Sequence, residues 1–167
     1  MIGVVLGNGP SKVAYDRTGD FVIGCNIPAD EYSVDATVIC DVEIVWILKN
    51  SPHLIGDTPL IISTNVFEKM KELRIVNDYL ILDVFKPRDW YNSAHYAAQY
   101  LIDNGCDEVH IWGCDSIFED DISSATDEIV KKDMDQDRFI RHWRKVWLEM
   151  HQRHANVHFV AVRYKKD

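Results

Sequence analysis

Apolar residues fall in short uniform runs separated by polar stretches. Met1-Ile2-Gly3-Val4-Val5-Leu6 is such a run, as expected of a central parallel strand covered on both faces. Phe21-Val22-Ile23-Gly24 and Ala36-Thr37-Val38-Ile39-Cys40 read as a second and third strand, and Leu60-Ile61-Ile62, preceded by Pro59, as a fourth. Tyr79 to Leu82 gives a further strand, Glu108 to Gly113 another, and Val157 to Val162 the last. Between them lie helical patterns over Val42 to Asn50 and Asn65 to Leu73, with Asn65 as a cap.

Two helices are marked more strongly. From Ser93 to Asn104, Ala94, Ala97, Ala98, Leu101 and Ile102 recur at helical spacing, and Gly105 stands where helices stop. From about Gln136 to His154, Phe139, Ile140, Trp143, Val146, Trp147 and Met150 share one stripe. Strands alternating with helices predict an α/β fold: a single Rossmann-like, three-layer domain over residues 1–167 with a mostly parallel sheet.

In such a sheet, ligands bind beyond the carboxyl ends of the strands, so the residues after each strand matter most. The first strand runs into Gly7-Asn8-Gly9-Pro10-Ser11. Glycines let backbone approach a ligand closely, Pro10 presets the entry to a turn, and Ser11 can cap the next segment. Open amides there would hold phosphate. It is no P-loop, since no Gly-Lys-Ser/Thr comes after it, and Lys12 stands where the dinucleotide fingerprint needs a third small residue. A strand-to-helix turn without a ligand is the plain alternative. After the other strands come Cys25-Asn26, Asp41, Ser63-Thr64-Asn65 and Gly113-Cys114-Asp115-Ser116, while Asn92 and Ser93 open the alanine-rich helix. Small amides and hydroxyls suit a ribose, sugar or base edge; singly, each also reads as a cap or turn.

Bulk properties narrow the setting. At 167 residues, with 47% apolar and 27% charged, the chain has the composition of one soluble domain with a real core. A formal charge of −9 argues against non-specific binding to nucleic acid or anionic membrane, though a local basic patch is compatible with it. No run approaches a membrane span, and the amino-terminal run lacks the basic lead of a signal peptide. Cys25, Cys40, Cys106 and Cys114 show no C-x-x-C spacing, which suits free thiols in a reducing cytoplasm. Five tryptophans in a small chain make a homo-oligomer a further expectation.

The opening Gly7 to Ser11, the Cys25-Asn26 step, and the block from Asn92-Ser93-Ala94 through Gly105 to Ile111-Trp112-Gly113-Cys114-Asp115 resemble bacterial CMP-sialic-acid-dependent sialyltransferases. The pattern is similar to that of Maf-type flagellin glycosyltransferases and of an archaeal-type pterin pyrophosphokinase, and the short acidic chain resembles phage-encoded proteins. The resemblance covers about the first 118 residues. It implies a small glycosyltransferase-like transferase with a nucleotide-sugar donor, CMP-type favoured. Asn8 and Gly9 would face phosphate and ribose; Asn26 and Asp41 would lie near the donor, Asp41 replacing an amide. Ser93 would meet the phosphate or sugar carboxylate, and Asp115 the nucleotide. Gly7, Ser11, Ser63, Asn65, Asn92, Gly113 and Ser116 complete the expected nucleotide-binding set.

The chain departs from those families where Ile117 replaces a tyrosine that steadies the departing phosphate, and where Glu119-Asp120-Asp121 leads to a long helix in place of a lid and a later histidine base. The catalytic candidates are then Asp115 and His142. His142 lies beside Arg138, Arg141, Arg144 and Lys145, which can neutralise phosphate or form a solvated face. His95, one turn into the alanine-rich helix, can touch a ligand or pack. His151, His154 and His158 fit no metal frame. Asp115 and Glu119 to Asp121 can hold Mg²⁺ with a diphosphate, as pyrophosphoryl transfer to a pterin-like alcohol would need. The non-catalytic alternative is a nucleotide-binding or host-interaction module with Trp143 and Trp147 as its contact stripe.

Overall fold

The computed structural model describes residues 1–16, 19–28, 33–118 and 136–163. Seven strands form one sheet: β1 (Ile2–Leu6), β2 (Phe21–Cys25), β3 (Ala36–Ile39), β4 (Leu60–Ser63), β5 (Ile81–Phe85), β6 (Glu108–Trp112) and β7 (His158–Ala161). All pairs are parallel and the spatial order is β5-β4-β3-β2-β1-β6-β7. The helices are α1 (Val42–Asn50), α2 (Thr64–Glu72), α3 (Ser93–Asp103) and α4 (Gln136–Arg153). This is the α/β, Rossmann-like layering expected from the alternation of strands and helices. The chain builds outward from β1 to β5, then returns through α3 to place β6 on the other side of β1. The switch point therefore lies between β1 and β6.

Period-two alternation along each strand sorts the core into two layers. Val5, Ile23, Val38, Ile61, Val109 and Ile111 face α3 and α4, meeting Ala97, Ala98, Leu101, Val146 and Met150. Ile39, Leu60 and Ile62 face α1 and α2 through Ile44, Val45, Leu48, Val66 and Met70. A smaller cluster of Val4, Leu6 and Val22 is covered by Tyr15 and Trp112. The small residues of α3 matter here: alanines let the helix lie close on the strands. A Cβ on Gly3 would stand 2.8 Å from a Leu101 methyl, so that glycine makes room for the leucine. Truncating such a fully buried leucine to alanine costs about 2–5 kcal/mol.

The element boundaries differ in two instructive places. The fifth strand begins at Ile81, two residues later than the apolar run suggests, because Tyr79 turns inward to donate its hydroxyl to the Leu48 carbonyl at 2.7 Å. The cap of α2 is the buried Ser63, whose Oγ accepts from Val66 N at 3.2 Å; Asn65 sits exposed in the first turn. No described helix is long and apolar enough to cross a membrane.

Candidate functional site

At the switch point, the loops after β1 and β6 are fastened to each other. Gly7 N donates to Trp112 O at 2.7 Å and Gly9 N to Gly113 O at 2.7 Å. Gly113 N donates back to Ser11 Oγ at 3.0 Å, and Ser11 N to Asp115 Oδ2 at 3.1 Å. The glycines are explained by this closeness. A Cβ on Gly7 would stand 2.5 Å from the Gly113 carbonyl oxygen, and one on Gly9 would enter the Asp115 carboxylate. Gly113 has φ +70°, and a Cβ there would strike the Gly7 carbonyl.

The amides of Gly7, Gly9 and Ser11 are therefore not the open row read from the sequence. They are engaged within the protein, and the Asp115 carboxylate accepts the bond that an external anion would take at Ser11. Ser11 does not act as a cap, for Gly9 holds the cap position of the short 3-10 turn Pro10–Ala14. Cys114 in the same corner is pushed up to about 12, by burial first and then by the Asp115 charge. Burial likewise raises Cys25 well above its ordinary value. Both thiols keep their protons at neutral pH and are poor nucleophiles; all four cysteines are free.

One strand further along, the rim is more open. Asn8 Nδ2 donates to the Cys25 carbonyl at 2.7 Å, tying the first loop to the end of β2. Asn26 adopts the left-handed conformation, φ 55°, with its N–H on Val38 O at 2.8 Å and its carbonyl accepting from Thr37 Oγ1 at 2.8 Å. Its Oδ1 accepts from Ser93 Oγ at 3.4 Å, and Cys40 Sγ lies 3.2 Å from the same hydroxyl. The ends of β2 and β3 thus meet the first residue of α3. Among the described residues the Asn26 Nδ2 group has no acceptor, and neither do the backbone amides of Ser93 and Ala94. Asp41, half-buried, comes directly after Cys40 at the cap position of α1 without a capping bond from its side chain.

The other expected residues have structural work. Asn92 caps α3: its Oδ1 accepts from His95 N at 3.2 Å while His95 Nδ1 accepts from Asn92 N at 2.9 Å. Because Nδ1 accepts, His95 Nε2 carries the proton and donates to Trp143 O at 3.1 Å, joining α3 to α4. His95 is fully buried, with the Trp147 ring 4.4 Å away, and burial lowers its pKa to about 3. It is a neutral strut. His142 stacks on Trp90, ring centroids 3.6 Å apart and planes within 9°, and Arg138 lies over the same indole at 5.0 Å. The Ser116 carbonyl accepts from Arg144 Nε at 2.8 Å, so α4 grips the β6 loop as well. Trp147 is half-buried against the core and Trp143 packs on Phe139, so neither is a fully outward stripe.

Asn8, Asn26 and Ser93 are brought together as expected, while Gly7, Gly9, Ser11, Gly113 and Asp115 form a separate, closed corner. Glu119, Asp120 and Asp121 lie outside the described residues, and among those described no three His, Cys, Asp or Glu side chains could hold a metal ion. Cys40 is the member of the open cluster that sequence reasoning missed; its place directly before Asp41 at a strand end was the available signal. No protein-family profile, curated protein or solved structure matches this chain.

Proposed function

We propose that the open rim formed by Asn8, Asn26 and the start of α3 binds a nucleotide or nucleotide-sugar, CMP-type favoured, and that the chain is a small glycosyltransferase-like transferase of the cytoplasm. One observation carries this reading: the Asn26 amide and the first two amides of α3, three unengaged donor groups, lie at one edge of the sheet joined through Ser93. The positive end of an eleven-residue helix suits phosphate, and a side-chain amide suits a ribose or base edge. Phosphate leaving from a donor would be stabilised by those preset amides, with orientation supplying the rest.

A second reading, nucleotide binding without transfer, has its own support. Asp115 is engaged by Ser11 and His142 by Trp90, so both acid–base candidates are already held by the protein. Thermal shift against CMP, UDP, GDP, ADP and their sugars tests binding. Selective stabilisation that disappears in Asn26→Ala and Ser93→Ala supports the site; no shift with any nucleotide would overturn it. Release of sugar from the stabilising donor separates transfer from binding, and loss of activity with a chelator would favour pyrophosphoryl transfer.

A further inference from the structure

Two guanidinium groups converge on one phenolic oxygen where the β5–α3 turn meets α4. Arg88 Nη1 donates to Tyr91 Oη at 3.3 Å and Arg153 Nη2 donates to it at 3.0 Å. Arg153 is further held by Gln99 Oε1 at 3.1 Å, and the Arg88 backbone by the Tyr96 hydroxyl at 2.6 Å. Like charges fixed this close repel, and among the described residues neither has a carboxylate partner. Burial raises the Tyr91 hydroxyl, but the bonds and charges of Arg153 and Arg88 outweigh it and the net shift is downward. An anion between the two arginines would relieve the repulsion.

The cations continue along the helix. Arg138, Arg141 and Lys145 fall at i, i+3 and i+7 on the exposed face of α4, and Lys86 is exposed at the start of the turn. Arg141, Lys145 and Lys86 have no carboxylate partner among the described residues. The strip from Arg138 to Arg153 runs about 22 Å along α4. Residues 86–91 and 136–153 carry seven Lys or Arg against Asp89, Asp137 and Glu149, although the whole chain has 18 basic and 27 acidic residues. The net charge of −9 therefore hides a segregated basic strip on an acidic body.

We propose that this strip binds a phosphodiester strand, with Arg88 and Arg153 gripping one phosphate beside Tyr91 and Arg141 and Lys145 tracking its neighbours. Guanidinium forks match phosphate oxygens. The length of the strip suits several successive phosphates better than one small anion. Its confinement to one face of α4 and the adjoining turn, in a chain of net charge −9, suits a single strand and disfavours a flat anionic bilayer. This surface is independent of the nucleotide reading at Asn26 and Ser93.

The test is fluorescence anisotropy of a labelled oligothymidylate of about 20 nucleotides. We expect binding at low salt that weakens on the order of 20-fold between about 50 and 200 mM NaCl, as three phosphate contacts imply. Arg141→Glu/Lys145→Glu and Arg88→Gln/Arg153→Gln should each weaken it at least about tenfold. Lys49→Glu/Lys71→Glu on α1 and α2 makes the first pair's charge change elsewhere and should have little effect. Competition by inorganic polyphosphate identifies the backbone as the ligand; binding that polyphosphate leaves untouched identifies a nucleic acid read also through its bases. No binding at low salt, equal loss in the control pair, or competition by poly-glutamate as strong as by polyphosphate would overturn the proposal.

Discussion

The two halves of the carboxyl rim look alike in the sequence and behave differently in the fold. After β1 and β6, glycines bring two loops into backbone contact, and four hydrogen bonds between them engage the amides of Gly7, Gly9, Ser11 and Gly113. After β2 and β3, there are no such glycines, and polar side chains from three distant segments meet with donors left over. A glycine-rich turn signals close approach but not what approaches. Here it is the protein's own backbone, and the donors left unengaged lie one strand away.

The sharpest way to break this contrast is to add a methyl group to the closed corner. Gly113→Ala forces both a left-handed φ and a collision with the Gly7 carbonyl. It should destabilise by about 3–5 kcal/mol in denaturant titration. A near-neutral result would mean that the two loops are not fastened as described. Gly9→Ala meets the Asp115 carboxylate and the Gly113 carbonyl oxygen, and should cost somewhat less because its φ of −71° adds no left-handed strain.

Next comes the strut beneath the open half. His95 is neutral when folded, with its pKa lowered to about 3, and titrates near its ordinary value of 6.5 when unfolded. The unfolded chain therefore binds the extra proton between those values, and stability should be complete above about pH 6.5 and fall as pH drops toward 3. His95→Gln should lower stability at pH 7 by about 2–4 kcal/mol and flatten this part of the pH profile. An unchanged acid slope in the variant would remove His95 as its cause. Ser11→Ala leaves the buried Gly113 N–H without its acceptor and should cost about 1–3 kcal/mol.

Much of this fold could be read from pattern alone, because uniform apolar strands and an alanine stripe leave few other arrangements. Val42 to Asn50 and the start of α3 at Ser93 coincide with the folded elements. What escaped was whatever depends on partners far apart in sequence. Nothing local to Asp115 reveals that it answers Ser11 N, 104 residues away. Nor does anything around His142 reveal Trp90, which takes φ 65° in a turn no propensity describes. Asn92 and His95 did carry a local signal, an N-cap with a side chain able to reach back three residues later, although histidine in place of Glu or Gln disguises it. Asn26 was legible as a polar strand-end residue and Ser93 as the opening of α3, but not their mutual contact.

The smallest expected effect on stability belongs to the open half. Asn26→Ala and Ser93→Ala should each change unfolding free energy by only about 1 kcal/mol, since Asn26 is half-buried and the bond that joins it to the buried Ser93 hydroxyl is long, at 3.4 Å. Their effect on nucleotide-induced stabilisation should nevertheless be complete. If both variants kept the full ligand shift, the open cluster would be scaffold and the contrast between the halves would lose its functional meaning.

Amide hydrogen exchange with and without a stabilising nucleotide reports on both halves in one experiment. The account predicts new protection at Ser93 and Ala94, and no change at Gly7, Gly9, Ser11, Asn26 and Gly113, whose backbone amides are bonded in either state. Protection gained at Gly7, Gly9 and Ser11 with none at Ser93 and Ala94 would contradict it and return the ligand to the glycine corner.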